Sequence, residues 1–293
     1  MFRITLLFLA ILFMTSCSIN PSAPSDAARA ELAPTGKLRA GINFQNQMLT
    51  SLGPNGEQGG VAVELVRELA KRLNVPLEIT AYKSAGSLAD AVRERVWDVA
   101  VLGAEPERAK EIAFAPALTE IEATYMVPAG SSIKSVDEVD RPGIRILVGA
   151  NSAYDLYLKR TLKNAVRVPI QGSNAAVKEF ATGQYEVLAG LKSQLTEVAS
   201  SQPGMRVLPG NFNVVRHTAG TPPGREAGSA YLSAFVEDVK ASGLVAQWIA
   251  KSGIKGLAAA PAAGQQTNNG DASTCNTTSV VPASCKSVTG TRG

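Results

Sequence analysis

From Leu38 onward, short apolar runs alternate with stretches in which apolar residues return every three or four positions. Leu38 to Ile42 reads as a strand. Residues 61–73 place Leu65, Leu69 and Leu73 on one helical face with Val66 and Ala70 beside them, and Glu64, Arg67, Glu68, Lys71 and Arg72 opposite. Leu77 to Tyr82 is the next strand, Leu88 to Arg95 the next helix and Val99 to Leu102 a buried strand. This β-α-β-α-β order predicts a mostly parallel sheet. The order then starts again: strand Ile144 to Val148, helix Tyr154 to Leu162, strand Val166 to Ile170, helix Asn174 to Thr182, strand Val187 to Ala189, and a helix from about Lys192. Two such units predict two α/β lobes. A last helical stretch, Ala227 to Ile249, offers Tyr231, Phe235, Val239 and Trp248 for packing against one of them. Ligands of open α/β sheets bind beyond the carboxyl ends of the strands, so two facing lobes imply a shared cleft.

The ends of the chain read differently. Arg3, the apolar run Ile4 to Met14 and the tetrapeptide ending at Cys17 fit an export signal over residues 1–17, too short to span a bilayer comfortably. Met-Thr-Ser-Cys resembles the bacterial lipobox, with Met where Leu is usual, which implies lipidation at Cys17. A plain secretory peptide cleaved nearby is the other reading, and both take the protein out of the cytoplasm. Residues 18–33, rich in Ser, Pro and Ala, read as a tether. Residues 258–293 hold no aromatic residue and little periodicity, and read as a disordered tail.

Composition narrows the chemistry. The 293 residues are 45 % hydrophobic, ample for a sizeable core, and a net charge of +4 with interspersed signs gives no basic tract for a nucleic acid. With Cys17 lipidated, Cys275 and Cys285 remain, both in the tail and free to form a small disulfide loop. His217 is the sole histidine. Cys/His zinc sites and a Ser-His-Asp triad therefore have little to build from, and no acidic loop has calcium-type spacing. No cofactor is expected.

The blocks GKLRAGINF, GGVAVELVRELAKRLNVPLEIT, WDVAVLGAEPERAKEIAFAPAL and GLVAQWIAKSGI, in this order over about Gly36 to Gly256, resemble the amino-acid-type (family 3) periplasmic solute-binding proteins of ABC importers. The resemblance implies the two-lobed type II binding-protein fold, with residues 34–127 plus 211–257 as lobe one and 128–210 as lobe two. It also implies a periplasmic protein, anchored through its lipid, monomeric, non-enzymatic and partnered by an ABC permease.

In that family the PERA motif supplies an arginine for the ligand carboxylate, here Arg108, whose planar guanidinium suits bidentate pairing. The turn after the first strand of lobe two, Gly149 to Ala153, implies a second anchor. It offers amides at a helix N-terminus around Asn151 and Ala153, with the hydroxyl of Ser152. Phe44 stands where an aromatic often stacks on the ligand, and Lys83, Gly103 and Glu105 complete the expected contacts. The sequence departs from the pattern at Leu191, where family members that bind α-amino acids carry an aspartate for the ammonium. An apolar residue cannot compensate a buried ammonium, so the expected ligand is a small carboxylate, unless Glu105, Glu120 or Glu122 takes over that pairing. Two other functions use this fold: dehydratases of the cyclohexadienyl type, in which Glu120 or Glu122 would act as acid or base, and ligand-presenting partners of sensors. Lytic transglycosylases share it too, but need a further domain that the tail lacks.

Overall fold

The computed structural model describes residues 23–264, so Cys17, Cys275, Cys285 and the expected export signal lie outside the described residues. In chain order the elements are α1 (Asp26–Leu32), β1 (Leu38–Asn43), the short hairpin β2 (Ser51–Leu52) and β3 (Gln58–Gly59), α2 (Val61–Leu73), β4 (Leu77–Tyr82), α3 (Ala85–Asp90), β5 (Val99–Gly103), β6 (Ala113–Phe114) and β7 (Thr119–Pro128). There follow β8 (Arg145–Gly149), α4 (Ala153–Thr161), β9 (Val166–Ile170), α5 (Ser173–Phe180), β10 (Val187–Leu191), α6 (Lys192–Ser201), β11 (Met205–Val207), β12 (Asn213–Thr221), α7 (Glu226–Ala241), α8 (Leu244–Ser252) and β13 (Ala258–Ala259).

One sheet runs through the molecule in the order β4-β1-β5-β12-β7-β10-β8-β9. The β4-β1-β5 and β10-β8-β9 sets are parallel, as the β-α-β-α-β patterns require. They are joined by β7 and β12, which pair antiparallel with each other over Thr119 to Ala123 and His217 to Asn213. The later part of β7 pairs with β10, while the later part of β12 pairs with β5. These two strands thus carry the chain from one lobe to the other and back.

Helix α2 buries Leu65, Val66, Leu69, Ala70 and Leu73, the face that the periodicity marks. It ends at Asn74 in the left-handed conformation (φ 53°), a residue type that tolerates this geometry. At the edge of lobe one the fully buried Asp98 accepts from Arg39 Nε at 2.9 Å and Nη2 at 2.8 Å and from Arg225 Nη2 at 3.0 Å, which fixes β1, β5 and the start of α7 together. Buried carboxylates persist where such donors satisfy them.

Three sequence readings are corrected. Residues 26–32 within the expected tether form α1, capped by Ser25 Oγ, with Ala28 and Leu32 buried and Glu31 accepting from Gly228 N of α7 at 2.7 Å. Too short to persist alone, this helix is held by tertiary contact. The expected tail begins ordered: β13 pairs with β7, and Ala260 and Ala262 are buried. The stretch Ala227 to Ile249 is two helices, because Gly243 at φ 79° separates α7 from α8.

Candidate functional site

The cleft between the lobes is built from the carboxyl ends of the strands. After β1 the chain makes two Asx-type turns: Gln45 N donates to Asn43 Oδ1 at 3.1 Å, and Met48 N to Asn46 Oδ1 at 3.2 Å. These turns bring Asn43, Gln45 and Asn46 to the cleft. Ser84 follows β4, Gly103 ends β5, Ala150 to Tyr154 follow β8, Ser173 follows β9, and Leu191 and Gln194 lie at the end of β10. With Arg108 and His217 they surround a cavity of about 50 Å³. A water molecule's share of the liquid is about 30 Å³, so the lobes must part to admit anything larger than a few atoms.

Arg108 stands at the centre of this contact. It is 6 % exposed, donating from Nη1 to the Gly103 carbonyl at 2.8 Å in its own lobe and from Nη2 to the Asn151 carbonyl at 2.7 Å in the other. Both acceptors are neutral. Burial pulls the guanidinium pKa down to about 10, with Glu105 and Glu107 offsetting part of that effect. Five N–H donors, two of them engaged, leave a buried cation able to bind an oxyanion.

At the opposite wall, Ser152 Oγ caps α4 by accepting from Asp155 N at 3.1 Å, and the Asp155 carboxylate accepts from Asn151 N at 2.7 Å. Asn151 adopts φ 55°, which turns its carbonyl toward Arg108. Of the expected turn amides, those of Ala150, Asn151 and Ser152 are spent inside the protein. The first-turn N–H groups of Ala153 and Tyr154, two cavity-lining residues, stand at the positive end of α4.

Further contacts tie the lobes together. Arg160 on α4 forks between Glu105 at 2.9 Å and Glu107 at 2.7 Å. Glu105 is buried, and desolvation raises its pKa despite Arg160. The backbones also meet closely: a β-carbon on Gly103 would lie 2.9 Å from the Ala153 methyl, and one on Gly86 2.8 Å from Asn151 Cβ.

The expected contacts therefore divide. Arg108, Gly103, Ser152 and Ala153 line the cavity, and Asn151 borders it through its carbonyl. Phe44 does not: it packs against the hydrophobic core, because the Asx turn after β1 points Gln45 and Asn46 inward instead. Lys83 is exposed, and Glu105 belongs to the Arg160 clasp. Glu120 and Glu122 pair with Arg216 and Lys192 and face an adjoining groove of about 1040 Å³ beside the hinge strands, which shares Asn46 and Gln194 with the cavity. Leu191 is on the cavity wall, and no carboxylate side chain lines that cavity.

His217, Gln45, Asn46 and Gln194 carry no sequence motif. The three amides could have been found from their positions just past strand ends; His217, within a strand, could not. Burial and the neighbouring Arg108 depress the His217 pKa to about 3, so the ring is neutral.

Two α/β lobes joined by paired crossover strands, with a polar cleft at the strand ends, define a bilobal ligand-binding protein. The chain belongs to the bacterial extracellular solute-binding proteins, family 3, matched over residues 38–252. Among solved structures it is similar to the solute receptor for L-cysteine of Neisseria gonorrhoeae (19 % identity, TM-score 0.67, 76 % of this chain and 92 % of that one). It is also similar to a putative ABC transporter binding component from Wolinella succinogenes DSM 1740 complexed with lysine (19 %, 0.64, 74 % and 95 %). A third is the ancestral amino acid-binding protein AncCDT-1, a precursor of cyclohexadienyl dehydratase (19 %, 0.64, 76 % and 98 %). At these identities the likeness is one of fold. No curated protein sequence matches the chain. Among the described residues no helix is long and apolar enough to cross a membrane.

Proposed function

We propose that this protein is the extracytoplasmic binding component of an ABC importer, closing its lobes on a small carboxylate and releasing it unchanged. The observation that carries the reading is Arg108, a buried cation between the lobes with only neutral carbonyls for partners. The N-terminus of α4 faces the same cavity and adds donors for an anion. The role in import follows from the family, and anchoring through Cys17 from the lipobox-like tetrapeptide. An eliminating enzyme of the cyclohexadienyl dehydratase type is less well supported, because neither Glu120 nor Glu122 lines the cavity around Arg108. A thermal-shift screen of small acids, followed by recovery and mass measurement of each hit, tests the proposal. Hits should be carboxylates returned intact and lost in Arg108→Ala. Conversion of a hit, or hits confined to neutral or cationic molecules that ignore Arg108→Ala, would overturn it.

A further inference from the structure

Among the described residues three buried side-chain polar atoms have no hydrogen-bond partner: Gln45 Oε1, Thr119 Oγ1 and His217 Nδ1. Buried polar groups are almost always paired, so three in one region require a cause. Gln45 and His217 line the cleft cavity with Arg108, and Thr119 stands opposite His217 in the β7–β12 ladder.

The hydrogen bonds around His217 fix what it presents. Met48 N donates to Asn46 Oδ1, which turns the Asn46 Nδ2 amide toward His217 Nε2 at 3.3 Å. Nε2 is therefore the acceptor, and the proton of the neutral ring sits on Nδ1. The Val215 carbonyl lies near enough to favour a proton on the ring, but not in hydrogen-bond alignment. His217, 6 % exposed, and Gln45 both line the cavity, and His217 thus keeps an unused donor and Gln45 an unused acceptor.

We propose that the cleft selects a short hydroxycarboxylate, whose carboxylate pairs with Arg108 while its hydroxyl accepts from His217 Nδ1–H and donates to Gln45 Oε1. This rests on the carboxylate reading above and sharpens it. A hydroxyl is donor and acceptor at once, so it answers both residues, and it still does so if the Gln45 amide turns over. An oxo group answers His217 alone. An ammonium answers Gln45 alone, and meets the donors of His217 and Arg108 with Leu191 and no carboxylate side chain on the cavity wall.

Calorimetry on the full chain with glycolate, lactate and 2-hydroxyisocaproate, each beside its oxo and amino counterpart, tests the inference. Within a set the hydroxy acid should bind tightest, at least about tenfold above the amino acid. His217→Phe, which keeps a ring but removes the donor, and Gln45→Met on the loop after β1 should each weaken hydroxy-acid binding about tenfold. Gln45→Met keeps the test decisive if His217→Phe fails to fold. Amino acids binding tightest, or both variants binding hydroxy acids as the wild type does, would overturn it. Carboxylate binding indifferent to the hydroxyl would sink this inference alone, whereas failure of every carboxylate in the wider screen would sink the carboxylate reading with it.

Discussion

Replacing Arg108 with methionine separates two roles that the cleft combines. Methionine approximates the length of the stem and removes the charge. Lowering the guanidinium pKa from 12.5 to about 10 corresponds to about 3 kcal/mol by which burial disfavours the charged form. Against this stand two charge-assisted bonds, to the Gly103 and Asn151 carbonyls, at about 1.5 kcal/mol each. The opposing contributions nearly cancel, so Arg108→Met should change the stability of the ligand-free protein by no more than about 1 kcal/mol. Binding should behave otherwise, because an anion in this cleft loses its only charged partner, typically about 2 to 5 kcal/mol. A ligand at a hundred times its Kd stabilises by about 2.7 kcal/mol, or roughly 5 to 10 °C in Tm for a chain of this size. At the same ligand concentration the wild type should show that rise and the variant no more than about a third of it. The sign with pH is also set: because the folded pKa lies below the unfolded one, the penalty is full at neutral pH and relieved as pH climbs through about 10. The wild type should then gain stability relative to the variant. A variant destabilised by more than about 3 kcal/mol that kept its ligand response would refute the reasoning, making Arg108 a strut between lobes.

Two further outcomes test closure. Arg160→Ala removes the clasp on buried Glu105, whose carboxyl already sits above its usual range. With the folded pKa raised, stability falls as pH rises through it, so the variant's Tm should drop more than the wild type's between about pH 5 and pH 7, as scanning calorimetry would record; parallel drops would remove the clasp from the account. Gly86→Ala should favour α3 by up to about 1 kcal/mol through helix propensity, yet its β-carbon would press on Asn151 Cβ at 2.8 Å. Small-angle scattering should then show ligand-bound variant more open than wild type, with affinity reduced and Tm maintained; an unchanged profile would refute the wedge.

Much of the architecture was legible because periodicity reports burial. Helix α2 and the parallel strands β1, β5, β8 and β10 bury what their pattern marks, whereas the edge strands β4 and β9 only half-bury theirs and leave Val166 exposed. The crossover strands were not legible. In β7 the alternation holds only as far as Glu122, and from Ala123 to Val127 every residue is buried, because the strand enters lobe two where both faces are covered. In β12 the sequence NVVRHTAGT places Arg, His, Thr and Gly inside a strand, which reads as a loop by composition. The continuous apolar period across residues 227–249 concealed the Gly243 break, although Ser-Gly marks a helix end. In the site, Arg108 came from a motif that fixes its loop. Phe44 packs against the core, off the cavity, because the side chains facing the cleft there are decided by an Asx turn, which strand alternation does not foretell.

The hinge strands also explain where polar groups without partners gather. Along one face of the β7–β12 ladder the facing pairs are Val215 with Ile121 and then His217 with Thr119. The first pair is apolar and almost fully buried, as a ladder built for stability would have it. Two residues on, at the same depth and on the same face, the sequence places an imidazole whose Nδ1, and a hydroxyl whose Oγ1, the surrounding protein leaves unpaired. Such atoms cost about 1 to 3 kcal/mol each when buried alone, and a second apolar pair would avoid that cost. This position is also where β12 lies beside Gly103, whose carbonyl receives Arg108. The departure from stable packing therefore falls where the strand ends of lobe one meet the hinge, at the cavity a ligand must enter. A strand chosen only to join two lobes would not carry it.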